Sequence, residues 1–146
     1  KCEVPDEDYL IPFGQAAFTR EGDDITLVSM SNMVLNCNQV ADNLAKDGIN
    51  ADVIDLRTVS PIDEGAVLES VEVSGRLVIV DEASERCSMA SEISSIVAEK
   101  AFGSLRAPIA KVTAPHTPVP FTPTLEKLYV PSVERIEQAA RMTLEA

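Results

Sequence analysis

The run Leu77-Val78-Ile79-Val80, followed at once by Asp81 and Glu82, restricts the fold more than any other stretch of this chain. Four consecutive apolar side chains leave neither face of an extended strand to water, so the strand must lie in a sheet covered by helices on both sides. A helical pattern then begins about ten residues after the run. A buried strand feeding a crossover helix implies an α/β chain with a three-layer α/β/α arrangement.

The rest of the chain is read around that strand. Residues 1–14 are charged or turn-forming, with Ile11 and Phe13 between them, and read as an arm or linker without regular structure. Ala16–Arg20 is expected to be a short edge strand and Ile25–Ser29 a full one, the two paired as an antiparallel hairpin across a turn at Gly22. Met33, Cys37, Val40, Ala41 and Leu44 form one helical stripe, and Gly48 closes that helix with a left-handed residue. A strand from Asn50 to Leu56 follows. Asp63 caps a short helix through Val71, and a further helix spans Ala90–Phe102 with Ile93, Ile96 and Val97 inward. Ile109–Thr113 is the last strand. Pro115, Pro118, Pro120, Pro123 and Pro131 forbid a regular ladder and put the next segment over the surface in extended turns. Ser132 caps a final helix whose inner face is Val133, Ile136 and Ala140. The expected sheet has about five strands, mostly parallel, with one antiparallel edge strand.

Composition limits what such a fold can do. A chain of 146 residues makes one domain that buries roughly 70% of its unfolded surface and needs no metal or disulfide to stand. Its 24 acidic against 12 basic residues give a formal charge of -12, which argues against nucleic acid and anionic membranes. Cys2, Cys37 and Cys87 lack ligand spacing, and His116 is the one histidine, so free thiols in a reducing compartment are expected and a zinc site is not. No stretch has the roughly 18 apolar residues of a membrane span, and the first residues do not resemble a signal peptide. A cytoplasmic protein is expected.

Ligands of such sheets bind at the carboxyl ends of the strands. Here those ends carry Ser29–Asn32, Asp55–Ser60, Asp81–Arg86 and Thr113–Thr117. They hold no nucleophile elbow, no dinucleotide fingerprint and no phosphate loop. Asp81 with Glu82 as an acid/base pair, Cys87 beside Arg86 as a thiol, and His116 in its proline-flanked loop are the groups with chemical potential. Each also has a plain structural role, as a cap, a passive thiol and a surface hydrogen-bonding group. The residues alone describe a scaffold with no catalytic or metal site.

Several segments in this order resemble a known family: residues 11–16, 20–26, 53–63 with Asp55-Leu56-Arg57-Thr58 at their centre, 80–83, Ala107-Pro108, and Pro118-Val119-Pro120 with Leu125-Glu126. They are similar to the C-terminal, transketolase-like domain of the β subunit of thiamine-diphosphate-dependent 2-oxo-acid dehydrogenases. Residues 114–121 look most like the acetoin dehydrogenase members. The resemblance implies residues 1–14 as a linker or arm from a missing N-terminal domain and 15–146 as the transketolase C-terminal-like domain, and a first residue other than methionine suggests a cut before Lys1. It implies thiamine diphosphate and magnesium in the complete enzyme, held by an α subunit and the preceding β domain and not by this chain. Its implied partners are the α subunit, a second β subunit and a lipoyl-bearing acyltransferase core, in the cytoplasm or, in a eukaryote, the mitochondrial matrix. Arg106, His116, Phe121 and Glu92 are the candidate interface residues. Arg106 stands where members that grip an arginine of the core carry an acidic residue, so the charge pairing is inverted or the core partner differs. The corresponding domain of a transketolase-like synthase and a stand-alone acidic binding module are the other functional classes.

Overall fold

The computed structural model describes residues 6–146; expectations for Lys1–Pro5, including the thiol of Cys2, lie outside the described residues. Five strands, β1 (Ala17–Arg20), β2 (Ile25–Ser29), β3 (Ala51–Asp55), β4 (Leu77–Ser84) and β5 (Ala110–Ala114), form one sheet in the order β1-β3-β2-β4-β5. The pairs β2–β3, β2–β4 and β4–β5 are parallel, and β1–β3 is antiparallel. The helices are α1 (Met33–Ala45), α2 (Glu64–Ser74), α3 (Met89–Lys100), α4 (Pro123–Tyr129) and α5 (Val133–Glu145).

Side-chain alternation along each strand sorts the core into two layers. Ile25, Leu27, Val53, Val78 and Val80 meet α1 and α5 through Cys37, Val40, Leu44, Ile136 and Ala140. On the other face Val28, Ile54, Leu77 and Ile79 meet α2 and α3 through Val67, Val71, Ile93 and Val97. Residues 77–80 are fully buried, as the opening run requires. Each such side chain contributes about 1.5–3 kcal/mol of burial, which explains why this strand sits next to the centre of the sheet.

Four expectations are corrected. First, β1 does not pair with β2, because both edges of β2 are taken by β3 and β4. The chain instead passes the amino end of β3 and β1 lies on that strand's outer edge, with Ala17 opposite Asp55. Gly22 serves this passage: its N–H donates to Asp52 Oδ1 at 2.7 Å, and a Cβ there would lie 2.5 Å from the carbonyl carbon of Asn50. Second, α2 runs one turn beyond Val71 to Ser74 and ends at Gly75 with φ +68°. Third, α3 stops at Lys100, and Phe102 begins a short 3-10 turn, 74% exposed. Fourth, the proline-rich segment holds the helix α4. Pro123 occupies the first turn, where a missing N–H costs nothing, and the Thr122 hydroxyl accepts from Leu125 N at 3.4 Å. The segment does run over the surface, and α4 buries none of its residues.

Beneath α2 lies a polar chain that periodicity did not announce. Asp52, Thr26, Ser70 and Ser74 are all buried. The Thr26 hydroxyl lies 2.7 Å from that of Ser70 and 2.8 Å from that of Ser74, and Ser70 donates to Asp52 Oδ2. Ser74 also receives the N–H of Arg76 at 3.3 Å. On the opposite face, Glu137 of α5 accepts from Asn43 of α1, and Arg141 bridges Glu137 and Asp47. These contacts fix one helix on each side of the sheet.

Candidate functional site

The loops that leave β2, β3, β4 and β5 lie along one end of the sheet, and the backbone there is unusual. Ser31, Arg57 and Cys87 have φ values of 56°, 53° and 52°, each within three residues of a parallel strand's end. These are the non-glycine residues with positive φ among the described residues. A side chain in that region costs on the order of 1 kcal/mol, so the surroundings must impose it. At Arg57 the neighbouring bonds are visible: Leu56 N donates to Ser29 O at 3.0 Å and Arg57 N to Asp55 Oδ1 at 3.0 Å.

The groups with chemical potential divide by orientation. Asp81 turns inward and accepts from Ala83 N at 2.9 Å and from Ala90 N, at the start of α3, at 3.3 Å. That carboxylate does the capping that Ser88 leaves undone. Glu82 is exposed, as alternation along a strand demands, so the two acids face apart and form no pair. β4 continues through Ser84, four residues beyond Val80, its last residue paired with β2, and keeps only β5 as a neighbour there. Cys87 is exposed, whereas Cys37 is buried and burial pushes its thiol up to about 12, against a smaller opposing effect of a hydrogen bond with Ser29.

His116 lines an open groove of about 520 Å³ between the extension of β4 and the proline-rich loop, with Glu82, Ser84, Val119 and Tyr129. The Tyr129 hydroxyl donates to Thr117 O at 3.2 Å and holds α4 against that loop. Phe121 lies fully exposed in the loop, and Glu92 is exposed in the first turn of α3 at the same end of the sheet. Arg106 is at the other end. Its N–H donates to Gly75 O at 2.8 Å and its stem covers Gly75, where a Cβ would fall 2.7 Å from Arg106 Cγ. Beside it a hollow of about 540 Å³ is bordered by Ala98, Phe102, Leu105 and Pro108. The structure therefore brings three of the four candidates to the carboxyl end of the sheet and sets Arg106 apart by the length of β5, roughly 17 Å.

Sequence reasoning missed the tyrosine that fixes α4 and the number of apolar side chains left bare around it. A signal existed: within 119–128, Val119, Phe121, Leu125 and Leu128 have no polar-to-apolar period that hides them. Among the described residues no group of three or more His, Cys, Asp or Glu is arranged to hold a metal ion. No helix there is long and apolar enough to cross a membrane.

Strand order, helices on both faces and a ligand-type carboxyl edge define a doubly wound α/β domain. Residues 14–136 match the family described as transketolase, C-terminal domain, and the chain belongs to that family. Among curated proteins it is 55% identical over 142 residues to the acetoin:2,6-dichlorophenolindophenol oxidoreductase subunit beta of Cupriavidus necator, covering 97% of this chain and 42% of that one. It is 44% identical over 143 residues to the pyruvate dehydrogenase E1 component subunit beta of Staphylococcus epidermidis, covering 98% and 44%. The chain thus spans less than half the length of these relatives. A solved structure described as a split gene transketolase, an inactive beta4 tetramer, superposes with a TM-score of 0.82 at 25% identity over 98% of this chain and 45% of the other.

Proposed function

We propose that this chain is the C-terminal part of the β subunit of a thiamine-diphosphate-dependent 2-oxo-acid dehydrogenase of the acetoin type, where it associates subunits and docks the acyltransferase core. The observation that carries this is the 55% identity, spread over 97% of the chain, with an acetoin oxidoreductase β subunit. Residues 1–14 are the linker from a preceding domain and 15–146 the association domain, in a cytoplasmic complex with an α subunit and a second β subunit.

The residues present do not fit the implied cofactor. The described part offers no acid or histidine cluster for magnesium, and its carboxyl-end loops lack the glycines of a diphosphate cradle. On this reading the thiamine site is built by the α subunit and the preceding β domain, and no residue of this chain is assigned to it. Core docking falls to the amino end of the sheet, where the hollow beside Arg106 offers apolar walls and a cation in an otherwise acidic molecule.

Two measurements test the reading. The full-length subunit, co-expressed with its α subunit, reduces dichlorophenolindophenol with acetoin in preference to pyruvate or a branched 2-oxo acid; a complex inactive with all three refutes the assignment. Arg106→Glu weakens binding of the cognate core at low salt, and unchanged affinity removes Arg106 from the docking surface.

A further inference from the structure

The chain carries twice as many acids as bases, so a cation without an acidic neighbour is the unexpected case. The ion pairs among the described residues engage Arg20, Lys100 and Arg141. Arg76 and Arg106, which both adjoin Gly75 at the amino end of the sheet, take part in none of them. Asp24 meets Arg76 through its backbone carbonyl, at 3.5 Å, and turns its carboxylate to Asn50 N at 2.7 Å. Arg76 Nε is buried with no partner. This end therefore holds two guanidinium groups and binds no carboxylate to either.

Arg106 is also held in place. Gly75 ends α2 with φ +68° and presents a bare Cα, over which the arginine stem lies. A Cβ on Gly75 would fall 2.7 Å from Arg106 Cγ, 2.8 Å from Cδ and 2.9 Å from Nε. A stem lodged in this way has less rotamer freedom to lose when its head meets a partner, and a guanidinium is the donor shaped to hold a carboxylate by two parallel bonds. Apolar ground adjoins it. The hollow of about 540 Å³ beside Arg106 and a second of about 300 Å³ share Pro108 and Ile109. The first is bordered by Phe102, 74% exposed, and the second by Met142, 64% exposed. A fixed cation beside two apolar hollows complements a segment that carries a carboxylate next to apolar side chains.

We propose that the acyltransferase core docks on this end through an acidic segment, with a carboxylate of the core seated on Arg106 and apolar side chains in the two hollows, and that Arg106 excludes segments presenting a cation there. This rests on the core-docking reading above and adds the sign of the charge that the partner brings. A second copy of the chain is the poorer occupant, because two molecules that each carry a formal charge of -12 repel.

The test is binding of the full-length β subunit, assembled with its α subunit, to the cognate acyltransferase core, followed by titration calorimetry at several salt concentrations. The expected result is that wild-type affinity falls as salt rises. Arg106→Gln, which leaves the apolar walls intact, weakens binding about tenfold at low salt and flattens the salt dependence, and Arg106→Glu weakens it further. One Asp→Lys or Glu→Lys substitution in the core's binding segment restores affinity for Arg106→Glu and lowers it for the wild type, a reciprocity that a merely structural role of Arg106 does not produce. Arg106→Glu that binds as tightly as the wild type or more tightly, or that no charge reversal in the segment rescues, overturns the inference and leaves core docking standing. So does a dehydrogenase complex that Arg106→Glu splits in the absence of the core, since the occupant is then a second copy. A wild-type complex that binds no acyltransferase core removes the docking reading itself and the inference with it, and is seen before any variant is made.

Discussion

Ser70 is the residue on which the buried polar chain under α2 turns, and replacing it with alanine separates hydrogen-bond direction from simple packing. A hydroxyl has one proton. Ser70 gives its proton to Asp52, so the proton between Thr26 and Ser70 comes from Thr26, and that between Ser74 and Thr26 from Ser74. The chain thus runs one way, from the Arg76 N–H through three hydroxyls to a carboxylate that is only 7% exposed. Ser70→Ala removes a bond to a charged group and leaves a carboxylate oxygen short of a partner, which costs about 2–3 kcal/mol. Thr26→Val keeps the shape and removes the middle link. Ser70 retains Asp52, and Ser74 can turn to Arg76 O at 3.1 Å, so the cost is about 1 kcal/mol. In the Ser70→Ala background Thr26 has already lost its acceptor, so replacing it there costs less, and a coupling of about 1 kcal/mol follows. Urea unfolding of the wild type, both single variants and the double variant measures this, provided the m-value is unchanged. If Ser70→Ala costs no more than Thr26→Val, or the two add without coupling, the directed chain is not what holds α2 in place.

Other outcomes follow from contacts already described. Gly22→Ala drives a methyl group into the backbone at Asn50 and Ala51 and displaces the amide from Asp52, costing about 2–3 kcal/mol; a melting temperature equal to wild type would mean that the chain passes β3 by another route. Hydrogen bonds from Arg141, and then from Asn43, hold the Glu137 carboxyl below its usual range. A depressed folded value stabilises above the unfolded pKa of about 4.3 and is lost as pH falls through the folded value, so Glu137→Gln should flatten the acid limb of a pH–stability curve and leave the limb above pH 6 parallel to wild type. At pH 8 iodoacetamide should modify Cys87 in the folded chain and spare Cys37, whose thiol burial raises to about 12; peptide mapping that finds Cys37 labelled before unfolding would contradict its burial.

The parts of the fold legible in the sequence are those where one face is wholly apolar. Residues 77–80, the stripe from Met33 to Leu44 and the inner face of α5 are arranged as their periodicity requires, because burial leaves no alternative register. The hairpin was misread for a related reason. Adjacent strands often pair, but β2 is needed by two parallel neighbours, and nothing within residues 17–29 records that competition. Helix α4 was hidden by counting prolines without asking where in a helix each would fall. At the site, the carboxyl ends of the strands were legible from the order of elements. Which side chains there remain bare was not, since the same residue types fill the core. Thr26, Ser70 and Ser74 were passed over because a polar residue on an inward stripe looks like a flaw until its partners are known.

The contact between α1 and α5 also bears on the order in which the domain is made. Asn43 and Glu137 meet across 94 positions of sequence, and Ile136 and Ala140 complete the layer that Cys37, Val40 and Leu44 begin. During synthesis the first helix emerges long before the segment that covers it. Until then one face of the nascent sheet has half its roof and an apolar stripe open to other chains. A ribosome that pauses before residue 133 leaves this domain at its stickiest, and the closing step is the arrival of α5 rather than the growth of the sheet.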